Sequence, residues 1–291
     1  MPEPAARKRD ALTPLFAAIV CYGLFRVVLF FLAPFIYYFG GDMMGITLPL
    51  LLSAGISSAL AMAVFEGRPL ADVGLHWREG SGRNLITGFG LGAGAIALLV
   101  ATGVAAGMAH YQPVPNADIS LRATLFMPIL LLCGAMGEEI AFRGFVLQCL
   151  MRGWRYWIAI VTTGVLFGWL HNDNPGATVL SDVNTAAFGV LFGAAVVRSR
   201  DLWLPIGMHF GWNIALPFLG AAVSGLTIRV TGYELVWTTG DLWSGGQYGP
   251  EGSVLTSAML ALLFIAVWKV PVRRGWLYLL DGAGDADLPA A

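Results

Sequence analysis

The chain has 291 residues, 57% of them hydrophobic and only 12% charged, with a mean hydropathy of +0.71. A soluble domain carries about 25% charged residues, so this chain has too few charges to coat a surface in water. Its net charge of -1 gives no footing to nucleic acid as a partner, because that association rests on a basic excess.

A helix that crosses a bilayer needs about 20 mainly apolar residues. Eight such runs are predicted, at about 12–39, 44–65, 84–108, 124–150, 156–171, 184–198, 202–222 and 254–272. The fifth and sixth are short by this standard. The runs do not alternate as barrel strands do, and only helices or closed barrels satisfy the backbone in lipid. The expected fold is an all-α polytopic membrane protein, a bundle of about eight transmembrane helices. It forms a single membrane domain over 1–291, with a catalytic core at about 124–222.

The first run follows Arg7, Lys8 and Arg9 and lacks a small-residue cleavage site, so it reads as an anchored helix and not a removed signal peptide. In the third run, Gly88, Gly90, Gly92 and Gly94 lie in an apolar helix. There small residues let backbones approach closely, and a nucleotide loop is not indicated. Cys21, Cys133 and Cys149 all sit in apolar runs without CxxC spacing, as small buried hydrophobes and not a disulfide or zinc framework. The 223–253 stretch, rich in Gly and Trp, reads as a structured interfacial cap.

Positive charges orient such a bundle toward the cytoplasm. With both termini inside, the cytoplasmic segments hold Arg7, Lys8, Arg9, Arg68, Arg78, Arg83, Arg152, Arg155, Arg198, Arg200, Lys269, Arg273 and Arg274, and the outer segments only Arg122 and Arg229, which is 13 against 2. Arg26 and Arg143 fall within spans. The expected location is a cell membrane, multi-pass, with both termini cytoplasmic, as in a bacterial inner membrane.

Ionisable groups inside a span are costly and mark function by default. The fourth run holds Glu138, Glu139 and Arg143. Glu139 and Arg143 are four residues apart and share a helix face, while Glu138 points about 100° away from Glu139. This suggests a structural pair, Glu139 with Arg143, beside a carboxylate presented to a cavity, Glu138. The fifth run carries Phe167 and ends at His171, ahead of the breakers Asn172 to Pro175. The seventh holds His209 and Asn213, again on one face. At about 1.5 Å per residue from the cytoplasmic helix ends, Glu138 lies roughly 18 Å deep, His171 roughly 22 Å, Asn213 roughly 16 Å and His209 roughly 10 Å. These groups can meet in one polar chamber. Its parts, a base, a proton carrier and hydrogen-bond donors, are those needed to activate a water and stabilise an oxyanion.

The segments Glu138-Glu139-Ile140-Ala141-Phe142-Arg143 (EExxxR), Phe167 to His171 (FxxxH) and His209 to Asn213 (HxxxN), in this order, resemble the CPBP family of CAAX proteases and bacteriocin-processing proteins, also called the ABI family. That family includes the type II CAAX prenyl endopeptidase. Pro69 to Leu75, Asp201 to His209 and Gly246 to Gly252 carry a weaker likeness. The resemblance implies an intramembrane endopeptidase acting on a protein or peptide within the lipid bilayer. In it Glu138 is general base on a water, aided by His171, His209 and Asn213 form the oxyanion hole, and Glu139 and Arg143, with Phe167, hold the site. No cofactor is expected, since the HExxH spacing of zinc proteases is absent and Asn is an uncommon zinc ligand. If zinc is bound, its ligands are Glu138, His171 and His209. The other readings are a non-enzymatic scaffold or immunity protein of the same family, and a proton-coupled transporter, for which an inverted repeat is wanting.

Overall fold

The computed structural model describes residues 10–115, 117 and 119–281. Arg7, Lys8, Arg9 and the side chain of Arg122, all used in the charge count, lie outside the described residues.

The protein is mostly helical. The first helix, α1 (Leu12–Ala61), is broken at Gly41, whose φ of 73° is a left-handed conformation that favours glycine. The chain reverses there. A Cβ on Gly45 would come within 2.8 Å of the Tyr37 Cα, and Cys21 lies beside Ser57 and Ser58. α1 is therefore a hairpin whose two arms match the first two predicted runs. After it come α2 (Ser81–Ala105), α3 (Leu121–Arg143) and α4 (Phe145–Gly153), the last two parted by a break at Gly144. Then follow α5 (Tyr156–Trp169), α6 (Val179–Ser199), α7 (Trp203–Phe218), a single turn α8 (Asp241–Ser244), α9 (Val254–Lys269) and a final turn α10 (Tyr278–Asp281).

Four helical stretches, Leu12–Glu66, Ser81–Ala105, Thr124–Gly153 and Val179–Ser199, are long and apolar enough to cross a membrane. The sixth run is longer than expected, 21 residues, because a Thr178–Ser181 capping box starts the helix several residues early. The seventh is shorter, ending at Phe218 after 16 residues. With α5 at 14 residues and α9 at 16, three of the eight expected crossings fall below the roughly 20 residues a full span needs. A short two-stranded sheet accompanies the helices. Strands β1 (Ala109–Pro113) and β2 (Tyr233–Trp237) pair antiparallel, with Tyr111 opposite Leu235, and tie the stretch after α2 to the 223–253 cap.

Of three apolar cores among the described residues, two are large. One gathers α1, α4 and α5 around Phe142, Phe145 and Phe167. The other gathers α2, α6, α7 and α9 around Phe188, Phe192 and Trp212. Within the second, α2 and α7 touch backbone to backbone. A Cβ on Gly88 would lie 2.2 Å from the Leu204 carbonyl oxygen and one on Gly92 2.0 Å from that of Met208, while Gly207 and Gly211 meet Leu85 and Phe89 in the same way. Gly90 and Gly94 face open space, so only the half of the glycine series that recurs once per turn is used for packing.

Candidate active site

The site forms where the two large cores meet. From α3 come Glu138 and Glu139. His171 sits just past the end of α5, where the chain leaves the helix, and His209 and Asn213 lie one turn apart on α7. Glu138, His171, His209 and Asn213 all line one cavity of about 520 Å³, whose remaining wall is largely apolar and includes Leu29 and Ile46 of α1.

Glu138 Oε2 lies 3.9 Å from His171 Nε2 and 3.7 Å from His209 Nε2. Both separations exceed hydrogen-bond reach, and this buried oxygen has no hydrogen-bond partner among the described residues. A polar gap of that width suits a bridging water.

The two imidazoles are held differently. His171 Nδ1 is 2.7 Å from the Phe167 carbonyl oxygen, which only accepts, so Nδ1 carries a proton and Nε2 is the nitrogen turned to Glu138. His209 Nδ1 is 2.9 Å from Glu139 Oε1. A carboxylate partner supports the doubly protonated ring, in which Nε2 also donates. Glu139 thus has a second partner that helix spacing did not suggest, and the pair expected with Arg143 is a triad.

Glu139 and Arg143 are fully buried, with Nη1 to Oε1 at 3.3 Å. Arg143 Nη2 donates to the Gly189 carbonyl at 3.0 Å, and its guanidinium lies 4.4 Å over the Phe167 ring. Phe167 in turn packs on the His171 ring at 4.6 Å between centroids. Phe192 stacks on His209 at 5.0 Å.

Sequence reasoning missed Glu251. Its side chain accepts from Trp212 Nε1 at 3.0 Å, from the Ser224 hydroxyl at 3.1 Å and from the Ser224 backbone N–H. Burial pushes its carboxyl above the ordinary value. A cavity of about 30 Å³ joins Glu251 and Ser224 to His171, His209 and Asn213, enough for a water. Ser224 holds a left-handed φ of 46° and also lines the main cavity. The Gly249-Pro250-Glu251-Gly252 turn, a carboxylate amid breakers, was the available signal.

The fit of a metal ion can be tested on these groups. Among the described residues no three His, Cys, Asp or Glu side chains are grouped to hold one. Both Nδ1 atoms are engaged by protein oxygens, which leaves the two Nε2 atoms turned to Glu138.

Apolar helices of membrane-crossing length and a buried Glu–His cluster at a cavity define an integral membrane protein with a polar site among its helices. Residues 120–215 match the family model described as type II CAAX prenyl endopeptidase Rce1-like. The match spans Glu138 to Asn213 and stops short of Glu251. No curated protein and no solved structure matches the chain.

Proposed function

We propose that the protein is an intramembrane endopeptidase that hydrolyses a peptide bond with a water activated by Glu138, without a metal. The observation that carries this reading is the unpartnered Glu138 Oε2, facing two Nε2 atoms in a cavity. A water held there gives a proton to Glu138 as its oxygen attacks the peptide carbonyl carbon. His171, through its Nε2, orients the water and later relays the proton to the leaving amine. The developing oxyanion accepts from Asn213 Nδ2–H and His209 Nε2–H. Glu139 supports the charge on His209, and Arg143 and Phe167 fix Glu139 and His171. Glu251 is a positioning residue that acts through Trp212, the neighbour of Asn213, and through Ser224.

The chain crosses a cell membrane eight times, α5, α7 and α9 being packed among longer helices, with both termini cytoplasmic. A reporter fused after Trp237 then reads outside and one fused after Leu277 reads inside.

The test compares membrane proteomes from cells making the intact protein or Glu138→Gln. New peptide termini appear only with the former, and the purified enzyme keeps its activity after chelation. An absence of protein-dependent termini counts against a protease. Stoichiometric zinc, lost and regained together with activity, overturns the metal-free route and leaves Glu138, His171 and His209 as ligands.

A further inference from the structure

Away from the catalytic cavity, at the end of the bundle where α2 and α7 begin and α6 and α9 end, lies a second cavity of about 230 Å³. Four arginines line it, Arg78, Arg200, Arg273 and Arg274, against the carboxylates Glu79 and Asp201. Arg200 is buried and lies 3.8 Å from Asp281. The other three are exposed at the rim.

The floor is built. Asn84 Nδ2 donates to Asp201 Oδ2 and to the Arg273 carbonyl, both at 2.6 Å, and its Oδ1 accepts from the Arg273 N–H at 2.8 Å. Asp201 also accepts from the Leu204 N–H at 3.3 Å, at the start of α7. Burial pushes the Asp201 carboxyl above its ordinary value, which weakens the one negative charge inside. This lock fixes the segment after α9 so that Arg273 and Arg274 stand beside Arg78.

Trp276 lines the cavity, and Trp203, which donates to the carbonyl of the lining residue His76, brings Trp77 beside it. Trp77, 63% exposed, packs edge-on against Trp203 at 4.9 Å, and Arg78 lies 5.7 Å over Trp276. Exposed tryptophans at helix ends sit at the level of lipid headgroups, and basic pockets between helix ends take anionic headgroups. We propose that this cavity binds the phosphate of an anionic phospholipid, held by Arg78, Arg273 and Arg274, with its acyl chains lying along the adjacent helices. The tryptophans favour a lipid over free phosphate, which has no apolar part for them to meet.

The experiment measures thermal unfolding of the full chain in mild detergent, titrated with phosphatidylglycerol, phosphatidylcholine or inorganic phosphate. The wild type is expected to gain stability with phosphatidylglycerol only. That gain is lost in Arg273→Gln/Arg274→Gln, kept in Arg155→Gln/Arg229→Gln as a charge-matched control, and weakened by salt. The side chains replaced are exposed, so the floor lock survives. Native mass spectrometry of the wild type, expected to retain phosphatidylglycerol, serves if the double variant fails to fold. Equal gains in the double variant and the control, a full gain with inorganic phosphate, or no lipid retained and no gain in the wild type overturns the proposal.

Discussion

Two polar clusters lie in this bundle, and they are made differently. At the helix ends, Asn84, Asp201 and the Arg273 backbone exchange hydrogen bonds until each group has a partner. Among the helices, Glu138 Oε2, Glu139 Oε2 and Arg143 Nε are buried without one. Native structures leave few buried polar atoms unsatisfied, and each one calls for an explanation. The first cluster has the form of a structural joint. The second keeps unused capacity at the cavity where a substrate and a water would complete it. The difference separates polar groups that hold a fold from those that hold a reaction, and it can be tested by substitution.

The largest effect is expected for Glu138→Gln. Loss of a general base lowers turnover by about 100- to 10,000-fold, and because Glu138 Oε2 has no hydrogen-bond partner among the described residues, thermal stability stays near that of the wild type. Cleavage assays and unfolding curves on the same preparation check both halves. A variant that melts early places Glu138 with the joints.

Glu139→Gln breaks a buried triad. Removing one partner of a buried ion pair costs about 3–5 kcal/mol, read as a lower midpoint in thermal unfolding. Activity falls as well, since His209 loses the carboxylate that supports its charge. If activity disappears with the midpoint unmoved, Glu139 belongs to the chemistry alone.

Asn213→Ala removes one oxyanion donor. That lowers kcat by about 100- to 1000-fold with little change in KM. A change confined to KM instead assigns Asn213 to substrate binding.

Glu251→Gln puts an amide where Ser224 donates twice. Unsatisfied buried donors cost about 1–3 kcal/mol. Because Trp212 and Ser224 flank the cavity, kcat falls along with stability, and Glu251→Asp, which keeps the charge, restores part of it. Equal loss in both variants, with kcat unchanged, makes Glu251 a joint.

The smallest catalytic effect is expected from Asn84→Ala. It too costs about 1–3 kcal/mol of stability, yet kcat stays within the error of the assay. A fall in kcat would erase the contrast between the clusters.

Much of this was legible in the sequence because helices in lipid are written locally. The apolar runs located the helices, and i,i+4 spacing placed Glu139 with Arg143, and His209 with Asn213, on shared helix faces. What could not be read depends on contacts between distant segments. The bond from His209 to Glu139 joins residues 70 positions apart, and no periodicity encodes it. Glu251 lies in a loop, where helix-face arguments have no purchase. The β1–β2 pair is five residues on each side, too brief for an alternating pattern to stand out. Helix lengths drifted because apolar composition does not mark where a cap such as Thr178 starts a helix.

The glycine contact between α2 and α7 has a mechanical consequence. With Gly88, Gly92, Gly207 and Gly211 pressed against the facing backbones, α7 has no slack in which to slide or roll, and any larger residue there would wedge the helices apart. His209 and Asn213 are therefore mounted on a fixed wall. The α1 hairpin opposite is only 22% buried over its most apolar window and turns on a single glycine. α7 is the jamb of the cavity, and a substrate must fit itself to that edge.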